Sequence, residues 1–168
     1  MRKNLGLVLW GVFLFCVGPA WAGEPRLMAA YDAWEVYLFT EDGHRVCYMA
    51  SQPGNREGNY TKRGDSFALI THRPADHARD VFSYVAGYPF KSGAPVRLVI
   101  DAQEFVLTPH KGTAWAPDSA MDSTISKAIR TGKDMKVLGT SARGTLTTDT
   151  FSLQGSGKAY EQISQECR

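Results

Sequence analysis

The chain has 168 residues, three of them cysteine, and its 19 Lys and Arg nearly balance its 17 Asp and Glu, giving a net charge of +2. Affinity for nucleic acid depends largely on clustered Lys and Arg side chains. A nearly neutral chain without a basic stripe therefore excludes nucleic acid as a partner.

The first 22 residues have the pattern of a cleavable secretory signal. Arg2 and Lys3 precede an apolar run, residues 5–17, that is too short to span a membrane comfortably. An Ala-Trp-Ala sequence follows at residues 20–22, so we expect cleavage between Ala22 and Gly23. The alternative interpretation is a retained amphipathic anchor. The signal predicts a protein that is periplasmic, associated with the outer membrane or secreted, with no membrane-spanning segment in the mature chain.

The mature chain, residues 23–168, has the usual length of one domain. Loss of Arg2 and Lys3 leaves 17 basic against 17 acidic residues, so its net charge is zero. Cys47 and Cys167 remain, and an oxidising compartment favours a disulfide between them. Two buried free thiols are the alternative.

Short runs rich in β-branched and aromatic residues predict seven or eight antiparallel strands. The first two form a hairpin over residues 34–49 that turns at residues 41–43, and residues 52–64 read as a polar surface loop. Further strands are predicted at 67–71, 81–85, 95–101, 104–108, 135–139 and 145–153.

Two segments have helical periodicity. The first is predicted at residues 123–130, with Asp122 as its N-cap and Gly132 just past its end. The second, residues 158–167, ends the chain and carries Cys167 towards Cys47. The predicted fold class is all-β: an antiparallel β-sandwich or partly closed barrel with one or two short helices, including a C-terminal helix.

Several longer motifs resemble the invasion-associated locus B proteins of Gram-negative bacteria. They are found at residues 87–93 (GYPFKSG), 99–101 (VID), 114–116 (AWA), 128–132 (AIRTG), 139–145 (GTSARGT) and 148–153 (TDTFSL), together with Trp34, residues 46–48, residues 71–74 and Cys167. The resemblance covers almost all of the mature chain. It departs at residues 154–157 (QGSG), where that family has a small-apolar helix entry.

The resemblance implies an exported, β-rich, envelope-associated protein, with some members linked to the entry of bacteria into host cells. It supplies no catalytic residues. Large aromatic residues stabilise proteins mainly through burial, so Trp34, Trp115 and Phe151 are interpreted as core residues.

The functional alternative for the aromatic and polar residues of these motifs is a binding surface. Its candidate residues are Tyr88, Phe90, Lys91, Trp115 and Arg143, because exposed aromatic rings and a guanidinium can hold a protein or glycan partner. A structural interpretation is open for Arg143 too, as half of a buried Arg–Asp pair with Asp149 or Asp101.

Catalytic and metal-binding patterns are weak. The four histidines, at positions 44, 72, 77 and 110, have no metal-site spacing, so no metal and no cofactor is predicted. Ser83, His72 and Asp101 form only a generic trio, and no nucleophile elbow is present. Residues 63–65 spell Arg-Gly-Asp, the integrin tripeptide, at the end of the polar loop. The alternative is that Asp65 begins the next strand.

The sequence thus predicts a non-enzymatic binding protein of the envelope whose partner is a protein or glycan of the envelope or the host. A periplasmic enzyme acting on an envelope polymer is the alternative, and general envelope maintenance is a third. A deep pocket with convergent ionisable groups favours the enzyme, and an exposed aromatic patch favours the binding protein.

Overall fold

A computed structural model describes residues 23–168, and the predicted signal with its cleavage site lies outside this range. These residues form eleven strands, two α-helices and one 3-10 helix at Pro74–Asp76. The strands are β1 (Arg26–Tyr31), β2 (Trp34–Glu41), β3 (His44–Ser51), β4 (Asn55–Gly58), β5 (Phe67–Arg73), β6 (Ala78–Val85), β7 (Val96–Ile100), β8 (Gln103–His110), β9 (Thr113–Trp115), β10 (Asp134–Thr140) and β11 (Leu146–Ser152). The helices are α1 (Ser119–Thr131) and α2 (Ser156–Glu166).

All strand pairs are antiparallel, in the order β1-β2-β3-β5-β6-β9-β8-β7-β10-β11-β4. The sheet is not closed, and its two halves pack against each other. Trp34 on β2 donates from Nε1 to the carbonyl of Ser152 at 3.2 Å, and the Tyr84 ring on β6 meets the Phe151 ring on β11 edge-on with centroids 6.2 Å apart. The predicted antiparallel, β-rich class with a C-terminal helix is confirmed.

The core lies between the two halves of the sheet and under the helices. Alternate strand residues point into it: Val36, Met49 and Ile70 on neighbouring strands are at most 1% exposed. Burying a side chain of this size stabilises the fold by roughly 1.5–3 kcal/mol. Trp34 and Phe151 are fully buried, as expected for core residues.

Helix α2 is fixed to the sheet by a covalent bond. Ile163 packs in the core, and Cys167, which follows the last turn, forms a disulfide with Cys47 of β3. The predicted bridge is confirmed. Within residues 23–168, neither helix has the length and apolar character needed to cross a membrane.

Three of the strands, β1, β4 and β9, were not predicted from the sequence.

Helix α1 begins earlier than predicted, because Asp118 is its N-cap and accepts a hydrogen bond from the Met121 amide at 2.8 Å. The assignment of Asp122 as the cap is wrong. Its carboxylate is buried and accepts from the Phe82 amide at 2.8 Å, which joins the helix to β6.

The start of α2 is set by glycine. Gly155 has a φ of +88° and lies against the Tyr31 carbonyl, where a Cβ atom would collide. Ser156, the first helical residue, donates from its hydroxyl to the Ile129 carbonyl at 2.8 Å and so attaches α2 to α1. The QGSG sequence at residues 154–157 therefore makes a tight entry to the helix.

Candidate functional site: a basic cleft

Three loops meet at one end of the sheet and enclose a cleft of about 620 Å³, a volume typical of ligand sites. They are residues 59–64, which follow β4; residues 87–89, which follow β6; and the turn between β10 and β11. We call this the basic cleft. Its lining includes Tyr60, Lys62, Tyr88, Arg143 and Thr147.

Backbone hydrogen bonds hold the three loops together. The Gly64 amide donates to the Gly87 carbonyl at 3.0 Å, and the Ala142 amide donates to the Pro89 carbonyl at 2.8 Å. Gly87 has a φ of +72°, and a Cβ atom there would collide with the Gly64 carbonyl. Only glycine fits this position, so the loops at residues 59–64 and 87–89 cross there through backbone atoms.

A buried ion pair forms the base of the cleft. Arg63 binds Asp149 with both ends of its guanidinium, at 2.7 and 2.8 Å, and the two side chains are 2% and 0% exposed. The remaining guanidinium donors reach the Ala86 carbonyl at 2.7 Å and the Tyr84 hydroxyl at 2.9 Å, and Tyr84 in turn donates to Asp149 at 2.7 Å. Four of the five guanidinium N–H groups and both carboxylate oxygens therefore have hydrogen-bond partners.

This network shifts the ionisation of its members. Burial alone would lower the pKa of the Arg63 guanidinium, but its hydrogen bonds to Asp149 raise that pKa above the ordinary value. Burial and the adjacent Asp149 carboxylate raise the pKa of Tyr84. Arg63 thus stays charged and Tyr84 stays protonated at any physiological pH.

Two tyrosine rings enclose the guanidinium. The Arg63 Cζ atom lies 4.8 Å from the centroid of the Tyr88 ring and 5.6 Å from that of Tyr60, both within the range of cation–π attraction. The Tyr88 hydroxyl is 2.6 Å from the Thr147 Oγ1 atom, and burial raises the pKa of Tyr88. Both tyrosine rings therefore contact the Arg63 guanidinium, and Tyr88 is also hydrogen-bonded to Thr147.

Lys62 and Arg143 supply the free charge of the cleft. Both residues are exposed, and within residues 23–168 neither forms an ion pair with a carboxylate. No Asp or Glu belongs to the lining that the described residues provide. An uncompensated lysine and arginine beside aromatic rings attract a carboxylate, sulfate or phosphate group.

Residues 34–164 match a family model described as "Invasion associated locus B (IalB) protein". The chain belongs to the invasion-associated locus B family. The resemblance inferred from the sequence motifs is confirmed. Proteins of this family are generally exported. No curated protein and no solved structure matches the chain.

The basic cleft of this IalB-family protein contains two of the five candidate surface residues, Tyr88 and Arg143. Phe90 is buried and supports the Tyr88 ring edge-on, with centroids 5.3 Å apart. Lys91 is exposed outside the lining, and its amide donates to the Thr140 carbonyl. Trp115 on β9 also lies outside the lining and is 43% exposed, so its interpretation as a core residue is wrong.

Tyr60 and Lys62 were not singled out from the sequence. The segment that carries them, residues 52–64, was interpreted as a polar loop, but residues 55–58 form β4 on β11. The available signal was an aromatic residue two positions before a Lys-Arg pair, inside a polar, glycine-containing segment.

Arg143 does not form the buried ion pair that the sequence predicted with Asp149 or Asp101. Asp149 pairs with Arg63 and not with Arg143, while Asp101 caps the amides of Lys133 and Asp134 at 3.1 Å. The predicted Arg143 pair is therefore wrong. Arg63 belongs to the Arg-Gly-Asp sequence, and its buried guanidinium is not presented to solvent as an integrin ligand requires.

His72 is part of a different buried cluster. Its Nε2 atom is 3.3 Å from Asp80 Oδ1, and the Tyr160 hydroxyl of α2 donates to the same oxygen at 2.7 Å. Burial would raise the pKa of Asp80, but these hydrogen bonds outweigh it and lower the pKa to about 2. The cluster joins β5, β6 and α2, and it includes neither Ser83 nor Asp101.

Residues 23–168 contain no group of three or more His, Cys, Asp or Glu side chains placed to hold a metal ion.

Proposed function

We propose that this protein is an exported, non-enzymatic binding protein whose basic cleft holds an anionic group of an envelope or host partner. The proposal rests on two cations without a carboxylate partner, Lys62 and Arg143, which line the cleft together with the Tyr60 and Tyr88 rings. A partner of this kind fits a role in host-cell invasion, and it fits equally a role in maintaining the envelope.

The chemistry of the cleft supports binding over catalysis. The carboxylate at its base, Asp149, has both oxygens hydrogen-bonded to Arg63 and Tyr84, so neither oxygen is free for proton transfer to a ligand. The groups that remain available are a lysine, an arginine and tyrosine rings. These side chains bind anions and stack on sugars or peptide groups, which is the work of a recognition site.

The location follows from the signal pattern. We propose that residues 1–22 direct export and are removed between Ala22 and Gly23, leaving the protein in the periplasm, at the outer membrane or outside the cell. The disulfide supports an oxidising compartment. N-terminal sequencing of the protein recovered from periplasmic, membrane and culture fractions tests both the cleavage site and the location.

The binding site is tested by crosslinking in the native envelope followed by mass spectrometry. Arg143→Ala and Tyr88→Ala variants are compared with Arg97→Ala, which removes an exposed arginine from β7 outside the cleft. We expect one defined partner to be captured by the parent and by Arg97→Ala and lost from the two cleft variants. Capture of the same proteins by every variant, or of none by the parent, contradicts the proposal.

A second experiment tests the charge preference directly. Hexaglutamate is titrated into the purified protein at low and high salt while amide NMR shifts are recorded. We expect shifts at the cleft, and an affinity that falls roughly tenfold in Lys62→Ala or Arg143→Ala. A charge-assisted hydrogen bond contributes about 1.5–3 kcal/mol, and the lower value, which applies to these exposed side chains, corresponds to about tenfold. Equal affinity in Arg143→Ala and Arg97→Ala contradicts a role for Arg143.

A further inference from the structure

A second concave surface lies on the outer face of the sheet, across β2, β3 and β5. It has a volume of about 530 Å³. Its lining comprises the β1–β2 turn (Asp32, Ala33), β2 (Glu35, Tyr37), β3 (Tyr48, Ala50, Ser51), Gln52 and β5 (Phe67, Leu69). We call it the tyrosine groove. None of its residues belongs to the basic cleft.

The strand register explains why these side chains share one face. Tyr37 pairs with Tyr48, and Ala50 pairs with both Glu35 and Leu69. Directly paired residues of antiparallel strands lie on the same side of a sheet. The intervening residues on each strand point into the core. The Tyr37–Tyr48 pair and the Glu35–Ala50–Leu69 row therefore lie on the outer face.

The outer face of a half-exposed antiparallel sheet is usually polar, but here it also carries several aromatic and apolar side chains. The Tyr37 and Tyr48 rings stack with centroids 5.0 Å apart and an angle of 10° between their planes. Phe39 meets Tyr48 edge-on, with centroids 6.1 Å apart. Ala50 lies beside these rings and fills little space, since its side chain is a single methyl group. The groove is therefore bordered by aromatic rings and has room for an extended side chain above Ala50.

The charge of the tyrosine groove is entirely acidic. Asp32 and Glu35 contribute carboxylates, and no Lys, Arg or His belongs to the lining within the described part of the chain. The Tyr37 hydroxyl donates to Glu35 Oε2 at 2.6 Å, and this hydrogen bond raises the pKa of Tyr37 to about 12. The ring therefore remains a neutral phenol, and the carboxylate is held against it.

We propose that the tyrosine groove binds a basic segment of a partner polypeptide, with a Lys or Arg side chain lying along the tyrosine rings and its cationic end at Glu35 and Asp32. Tyrosine rings attract cations through their π faces, and carboxylates complete the recognition. Opposite charge selects a basic segment over an acidic or neutral one. This site is separate from the basic cleft: the groove binds a cationic side chain, whereas the cleft binds an anionic group.

The test is an NMR titration of the purified protein with hexalysine, hexaglutamate and the neutral sugar cellohexaose. We expect saturable shifts at Tyr37, Tyr48 and Leu69 with hexalysine, weakened by salt. Glu35→Gln and Tyr37→Leu should each reduce the affinity for hexalysine by roughly three- to tenfold, given the strength of cation–π and exposed ion-pair contacts.

The controls separate this site from the basic cleft. Glu57→Gln removes an exposed acid on β4 outside the groove, and Arg143→Ala alters the cleft; neither should change hexalysine binding. Because Glu35 is exposed, Glu35→Gln keeps the fold even where Tyr37→Leu destabilises it. Absence of hexalysine shifts at the groove, an unchanged affinity in Glu35→Gln, or tighter binding of cellohexaose overturns the proposal. Any of these results leaves the hexaglutamate experiment on the cleft unaffected.

Discussion

Replacement of Arg63 by methionine tests the role of the buried ion pair beneath the basic cleft. Methionine keeps an unbranched chain but removes the charge and all donors, leaving the Asp149 carboxylate fully buried with Tyr84 as its remaining partner. Breaking a buried pair in this way typically costs about 3–5 kcal/mol. For a protein of this size, that loss lowers the melting temperature by about 6–20 °C.

The assay is unfolding in urea at pH 7, followed by circular dichroism with the disulfide intact. Arg97→Met is the matched control, because Arg97 pairs with Glu104 at 2.7 Å but both side chains are about half exposed, and such a pair contributes less than about 1 kcal/mol. Adding Asp149→Leu to Arg63→Met should restore part of the lost stability, since the unpaired charge is removed as well. A cost for Arg63→Met no larger than that for Arg97→Met refutes the reasoning.

Three further predictions concern stability. Replacing both cysteines of the disulfide with serine should cost about 4–5 kcal/mol in the chain-entropy model, given their sequence separation of 120, and a urea midpoint unchanged by the replacement contradicts this. Asp80→Asn should cost about 1–2 kcal/mol at pH 7. The pKa of Asp80 is about 2 in the folded protein, below the ordinary value of 3.8. The stabilisation of the fold by the Asp80 carboxylate is therefore complete above pH 3.8 and is lost as the pH falls towards 2. A variant that is equally destabilised at pH 7 and pH 2 argues against the cluster. Gly87→Ala should cost about 1–3 kcal/mol, and more than Gly144→Ala, since both have positive φ but only the Cβ at position 87 meets backbone; thermal melts of the two variants make the comparison.

The long strands were predictable because one face of each is buried. In β5 the exposure alternates residue by residue from Phe67 to Arg73, so the period-two pattern appears in the sequence. β1 contains adjacent alanines, and β4 reads Asn-Arg-Glu-Gly, with no apolar residue at all. β4 is a strand only because its backbone pairs with the edge of β11, which is a tertiary interaction.

The candidate site was predictable only in part for a similar reason. Tyr88 and Arg143 were found because they lie in recognisable motifs. Arg63 and Asp149 are 86 residues apart, and periodicity and spacing carry no information about such a pair. Nor could the sequence separate Asp118 from Asp122 as the cap of α1, since both precede the helical pattern and only packing against β6 distinguishes them.

The wall of the basic cleft that carries Lys62 is anchored at both ends. β4 pairs residues 55–58 with β11, and Arg63 fixes the other end through Asp149. Ordering a mobile side chain at an interface costs about 0.5–1.5 kcal/mol, and a mobile loop costs more. A wall that is already ordered avoids most of this entropic loss, so a partner meets a preorganised surface and binding requires no prior rearrangement of the loop.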